Sequence, residues 1–175
     1  MGVEIPKKFC WVGQSGVYSQ LRKNEKKRKG VALQYLFGEF RHKIDAKNRL
    51  SLPSDFRKAL PDVLMVTKSP KRDEDCLYVY DIDGFGEWVD SLFAKDGGFS
   101  PSNSKHVARQ RALHARAKRV EPDTAGRIGL TADMRAAANL EKDVVVVGNG
   151  DHIEIWSEKA WDEFISSVDL DELYD

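Results

Sequence analysis

Cysteine is nearly missing from this chain. Cys10 and Cys76 are the two in 175 residues, too few for a disulfide framework or a thiolate metal site. Long apolar runs are missing as well. No stretch nears the ~18 consecutive apolar residues of a membrane-spanning helix. Lys7 and Lys8 precede a short apolar patch, Phe9 to Val12, but Gly13-Gln14-Ser15 breaks it, so a secretory leader is not expected. A reducing cytoplasm is the expected compartment. Catalytic signatures are also missing: there is no G-x-S-x-G, no P-loop, no H-E-x-x-H and no C-x-x-C,. The four histidines, His42, His106, His114 and His152, lack ligand-like spacing. No enzyme, cofactor or metal is expected. The length allows one domain or two small ones.

There is no net charge either, since 28 basic residues balance 28 acidic ones. The balance hides segregation. Residues 1–35 carry eight basic and two acidic residues, residues 103–119 six basic and none acidic, and residues 162–175 six acidic and none basic. A phosphate backbone feels the local patch and not the total. Residues 1–35 read as a basic, disordered extension and residues 167–175 as an acidic tail.

What is present is a repeat. Asp45, Arg49, Leu52, Asp55 and Arg57 recur 78 residues later as Asp123, Arg127, Leu130, Asp133 and Arg135. Both copies read D-x-x-x-R-hydrophobe-x-L-x-x-D-hydrophobe-R. Each is followed by an aliphatic strand (Val63 to Val66; Val144 to Val147) and a second strand (Leu77 to Tyr80; Ile153 to Trp156). Each closes with an acidic, aromatic helix,. The repeat divides the chain into a first unit at 36–94, a linker and helix at 95–116 and a second unit at 117–166. Ser54 or Asp55 is expected to cap a short helix through Leu60, and Asn103 or Ser104 a helix to about Lys118. Gly148-Asn149-Gly150 reads as a hairpin connection. A unit this small buries little area alone, so the two are expected to share one sheet or barrel as an α+β pseudo-dimer.

Alternation places Phe40, His42 and Ile44 inward and Arg41 and Lys43 outward,. Asp45 to Asn48 is turn material: Asp caps backbone amides, and Asn48 or Gly126 tolerates a left-handed backbone. The duplicated turn therefore presents Arg41, Lys43, Lys47 and Arg49 in copy one and Arg119 and Arg127 in copy two. Arginine offers a planar donor fork for phosphate or guanine, and lysine a point charge for phosphate. The same Asp–Arg pairs also read as local ion pairs that only shape the turn. The residues alone leave both readings open.

The arrangement resembles the MraZ family of bacterial transcriptional regulators, built from two tandem SpoVT/AbrB-type swapped-hairpin units. The likeness rests on Leu36-Phe37-Gly38-Glu39-Phe40, the two D-x-x-x-R copies, Val144 to Asp151 and Ile153-Glu154-Ile155-Trp156…Trp161. It implies a homo-oligomer, commonly a ring-shaped octamer. It implies binding of double-stranded DNA at direct repeats in the promoter of the division and cell-wall gene cluster, as a nucleoid-associated repressor. It nominates Lys47, Arg49 and Arg127 on the loops, Arg41 and Lys43 as phosphate contacts on the adjoining strand, and Arg57 by a weaker match. Asp45 and Asp123 are expected to brace the loops. The sequence departs from the family pattern at Asn48, where glycine is usual, at Ala125, which takes the place of Lys47, and at Thr131, which takes that of Pro53. A protein-interaction scaffold using the acidic tail is the alternative reading.

Overall fold

The computed structural model describes residues 35–71 and 74–169. Of the basic extension expected at residues 1–35, residues 1–34 lie outside the described residues, as do residues 170–175 of the acidic tail expected at 167–175.

The elements run β1 (Leu36–Lys43), β2 (Arg49–Ser51), α1 (Ser54–Ala59), β3 (Leu64–Lys68), β4 (Cys76–Tyr80) and α2 (Ile82–Ser91). After the linker helix α3 (Ser104–Arg116) come β5 (Lys118–Val120), β6 (Arg127–Gly129), α4 (Ala132–Ala137), β7 (Asp143–Gly150), β8 (His152–Ser157) and α5 (Glu158–Ser167). The same succession occurs twice, as the repeat requires. The halves do not pair within themselves alone. A six-stranded antiparallel sheet has the order β1-β7-β8-β4-β3-β5, so each half lends its first strand to the other, and β4 joins β8 at the centre. The short β2 and β6 form a separate two-stranded ribbon, in which Leu50 sits opposite Ile128.

Alternation along the strands makes two cores, one on each face of the large sheet. Against the ribbon, Leu50, Leu52, Phe56, Val66, Ile128, Leu130 and Val146 are buried together. Leu50 and Ile128 are fully covered, and truncating such a residue to alanine costs about 2–5 kcal/mol. Against the helices, Tyr80, Phe85, Val89, Val145, Trp156 and Trp161 form the second core. Every residue of β4 is buried because both faces of that strand are covered. Cys76 lies there as a small buried group, and burial pushes its thiol up.

Several boundaries differ from the sequence reading. Helix α1 starts after Pro53, with no side-chain cap, whereas its counterpart α4 is capped by Thr131, whose hydroxyl accepts from the Met134 amide at 3.3 Å. The departure from proline thus supplies a cap that copy one lacks. Helix α3 is capped by Asn103 and stops at Arg116, because Lys118 already pairs with Val66. Gly148 and Asn149 are not loop residues: they pair with both β1 and β8, which leaves the reversal to Gly150 and Asp151. Among the described residues no helix is long and apolar enough to cross a membrane.

Candidate nucleic-acid interface

β1 leads into the loop at 45–48 and then β2; β5 leads into the loop at 123–126 and then β6. Both loops close by the same bonds. The Asp45 amide donates to the Arg49 carbonyl at 2.9 Å, and the Asn48 amide to the Asp45 carbonyl at 2.9 Å. Asp45 Oδ1 accepts from the amides of Lys47 (2.8 Å) and Arg49 (2.9 Å), while Oδ2 accepts from Arg49 Nε at 2.9 Å. In the second loop Asp123 accepts from the amides of Ala125 (2.9 Å) and Arg127 (3.0 Å) and from Arg127 Nε at 2.8 Å. An aspartate at this position satisfies two turn amides and orients an arginine four residues on. The Arg49 guanidinium holds the Asp45 carboxyl below its usual range. The Arg127 guanidinium holds that of Asp123 down at about 2. Asn48 and Gly126 both take left-handed backbones, with φ of 58° and 73°.

The loops are tied to each other across the pseudo-two-fold. The Leu52 amide donates to the Gly126 carbonyl at 3.1 Å, and the Leu130 amide to the Asn48 carbonyl at 2.9 Å. Arg49 Nη1 lies 3.8 Å from Asp123 Oδ2. One further bond breaks the symmetry. Arg57 crosses from α1 to the second loop and donates from Nη1 to the Ala125 carbonyl at 2.8 Å. Its side chain lies over Gly126, where an added Cβ would stand 1.9 Å from Arg57 Cδ. Its counterpart Arg135 makes no such bond to the first loop, and its Nε is buried without a partner. Asn48 carries a side chain where Gly126 has none, so the same approach is blocked.

The seven basic residues singled out in the sequence fall into two places. Lys47, Arg49, Arg57 and Arg127 gather at the twin loops. Lys47 is exposed, and among the described residues its ammonium has no carboxylate partner. Arg41, Lys43 and Arg119 point to the face of the large sheet that carries the helices. Arg41 donates to Glu158 at 2.6 Å and to Asp162 at 2.7 Å on α5. Those hydrogen bonds raise its already high pKa and hold Asp162 low. Lys43 is bound by Asp143, and Arg119 by Glu121 at 3.0 Å. The linker helix adds a basic surface that repeat matching does not find, since it has no copy. Arg109 there stands 5.5 Å over the Phe93 ring and donates to the Leu92 carbonyl.

The twofold strand exchange and the paired Asp–Arg loops coincide with a match to a family model described as "MraZ protein, putative antitoxin-like", over residues 35–99 and 113–172. The chain belongs to the MraZ family. The two matched segments are the two halves of the pseudo-dimer, and the gap between them, residues 100–112, falls on the end of the linker and most of α3. Among relatives, "Transcriptional regulator MraZ" of Mycolicibacterium smegmatis is 43% identical over 127 residues, 73% of this chain and 84% of that protein. The protein of the same description from Nocardia farcinica is 38% identical, over 77% of this chain and 89% of its own length. That from Thermoanaerobacter sp. is 34% identical, over 77% and 90%.

Proposed function

We propose that this protein regulates transcription by binding double-stranded DNA through its twin Asp–Arg loops. The observation that carries the reading is the pair of identically braced arginines on one ribbon, with the exposed Lys47 beside them. Two aspartates fix Arg49 and Arg127 by Nε and Nη2, and each arginine side chain stays about one-third exposed. A fork held in this way loses little side-chain entropy on meeting a phosphate or a guanine edge. Lys47 supplies point charge toward phosphate, and Arg57 holds the second loop in place. The MraZ relatives named above are described as transcriptional regulators, which supports the same reading. Family likeness further suggests repression, direct repeats as targets and a ring of subunits that offers the loops at regular intervals.

The test is a gel shift or fluorescence-anisotropy titration on DNA upstream of the protein's own gene. The intact chain is expected to retard the fragment with a steep salt dependence, as phosphate neutralisation requires. The double variant Arg49→Ala, Arg127→Ala is expected to lose specific binding, with Arg49→Ala alone costing about 1–3 kcal/mol where it reads a base. Unchanged affinity in the double variant refutes the assignment.

A further inference from the structure

The pseudo-two-fold makes an internal comparison possible on the helix-covered face. In the first half, Tyr78 and Tyr80 form an aromatic wall. The imidazole of His152 fills the place against it, 4.7 Å from the Tyr78 ring and 4.9 Å from that of Tyr80. The ring is planar and nitrogen-bearing, and both its nitrogens meet carboxylates: Nε2 stands 3.2 Å from Glu154 Oε1, and Nδ1 2.7 Å from Asp151 Oδ1.

The repeat matches Leu77 to Tyr80 with Ile153 to Trp156, so Cys76 is the counterpart of His152, and Glu154 and Trp156 those of Tyr78 and Tyr80. The thiol of Cys76 offers no ring. Against the same three positions, Tyr78, Glu154 and Trp156, a cavity of about 340 Å³ opens, walled further by Trp161, Phe164 and Glu74. Its volume lies in the range of small-molecule sites. The Trp156 and Phe164 rings are stacked at 5.3 Å, and Trp161 lies 5.7 Å from each.

The polar side of this cavity is built from two largely buried carboxylates. Glu154 Oε2 accepts one bond, from Trp156 Nε1 at 2.8 Å, while Oε1 accepts from Asn149 at 2.9 Å and faces His152. Glu74 Oε2 accepts from Ser69 and Tyr78, and its Oε1 from Lys71 Nζ. A carboxylate oxygen can accept two bonds, so among the described residues Glu154 Oε2 and Glu74 Oε1 each keep acceptor capacity. The wall thus combines indole faces, which attract cations, with unspent carboxylate acceptors. Among the described residues the wall contains one cation, Lys71, bonded to Glu74.

We propose that this cavity binds a small planar organic cation of the amidinium, guanidinium or imidazolium type. The ligand stands against the Trp156–Trp161–Phe164 wall and donates to Glu74 and Glu154, much as the His152 ring stands against Tyr78 and Tyr80 with its nitrogens on Asp151 and Glu154. Nothing in this assignment depends on DNA binding.

The test uses the full 175-residue chain and a pair of isosteric probes of opposite charge, benzamidinium and benzoate. Binding is read by calorimetry and by the indole N–H resonances of Trp156 and Trp161. Benzamidinium is expected to bind saturably and to shift both resonances, at least about tenfold more tightly than benzoate. Phe164→Ala, on the open side of α5, and Glu74→Gln are each expected to weaken benzamidinium about five- to tenfold with the thermal midpoint little changed. The proposal is overturned by the absence of saturation, by equal binding of benzoate, or by Phe164→Ala and Glu74→Gln proteins that fold and bind benzamidinium as the parent does.

Discussion

The two Asp–Arg loops are built from one pattern and secured by the same aspartate bonds, yet they are held differently. The second loop is closed by glycine and clamped from outside by Arg57. The first is closed by Asn48, carries Lys47, and has no clamp from Arg135. The comparison teaches that duplication preserved the turn while charge and rigidity were divided between its copies. The first loop holds a cation that has no carboxylate partner among the described residues, and the second holds the backbone that Arg57 clamps.

Four measurements break or sharpen that division. The largest effect is expected at Gly126. Gly126→Ala adds a Cβ into Arg57 at a left-handed backbone, and urea unfolding is expected to show a loss of about 1–3 kcal/mol. Asn48→Ala meets the left-handed penalty alone, near 1 kcal/mol, and Asn48→Gly is expected to be neutral. Equal costs at the two sites would erase the distinction. Next come the exchanged charges. Lys47→Ala is expected to flatten the slope of log affinity against log salt by about one, and Ala125→Lys to steepen it by a similar amount. Arg57→Ala follows: hydrogen exchange at the 125–127 amides is expected to quicken, by roughly tenfold or less, while the 47–49 amides stay as they were. A matched change in both loops would show that the clamp is shared.

The smallest effect is set by pH. The carboxyl of Asp123 is depressed to about 2, against an unfolded value near 3.9. The order it lends the loop is therefore complete above about pH 4 and lost as pH falls through about 2. An NMR titration of the Ala125 and Arg127 amides is expected to find its midpoint there. A midpoint at the ordinary carboxylate value would mean that the Arg127 pair does not hold in solution.

Much of this arrangement was legible in the sequence. Five matched residues at one spacing announced the doubled unit, and the period-two pattern placed Phe40 and Ile44 toward a core. Asp45 and Asp123 were readable as turn braces because their bonds are local, two and four residues away. Arg41 shows where such reading stops. Alternation correctly sent it away from Phe40 and His42, but outward from one core meant inward toward a second layer. The acids of α5 wait there, more than a hundred residues on in the chain. The Arg57 clamp was hidden for the same reason, since its partner is 68 residues away. The Glu74–Glu154 cavity was hidden because it arises from a mismatch between copies, which a search for likeness passes over.

The exchange of first strands has a consequence for synthesis. Lys43 finds its partner Asp143 only after another hundred residues have been made. During translation β1 has no neighbour to pair with, and the ribbon that carries the loops has one strand of two. Contacts this remote also slow folding. A chain released early therefore carries one loop sequence without the lattice that shapes it. Truncated products are poor competitors for whatever the finished molecule binds.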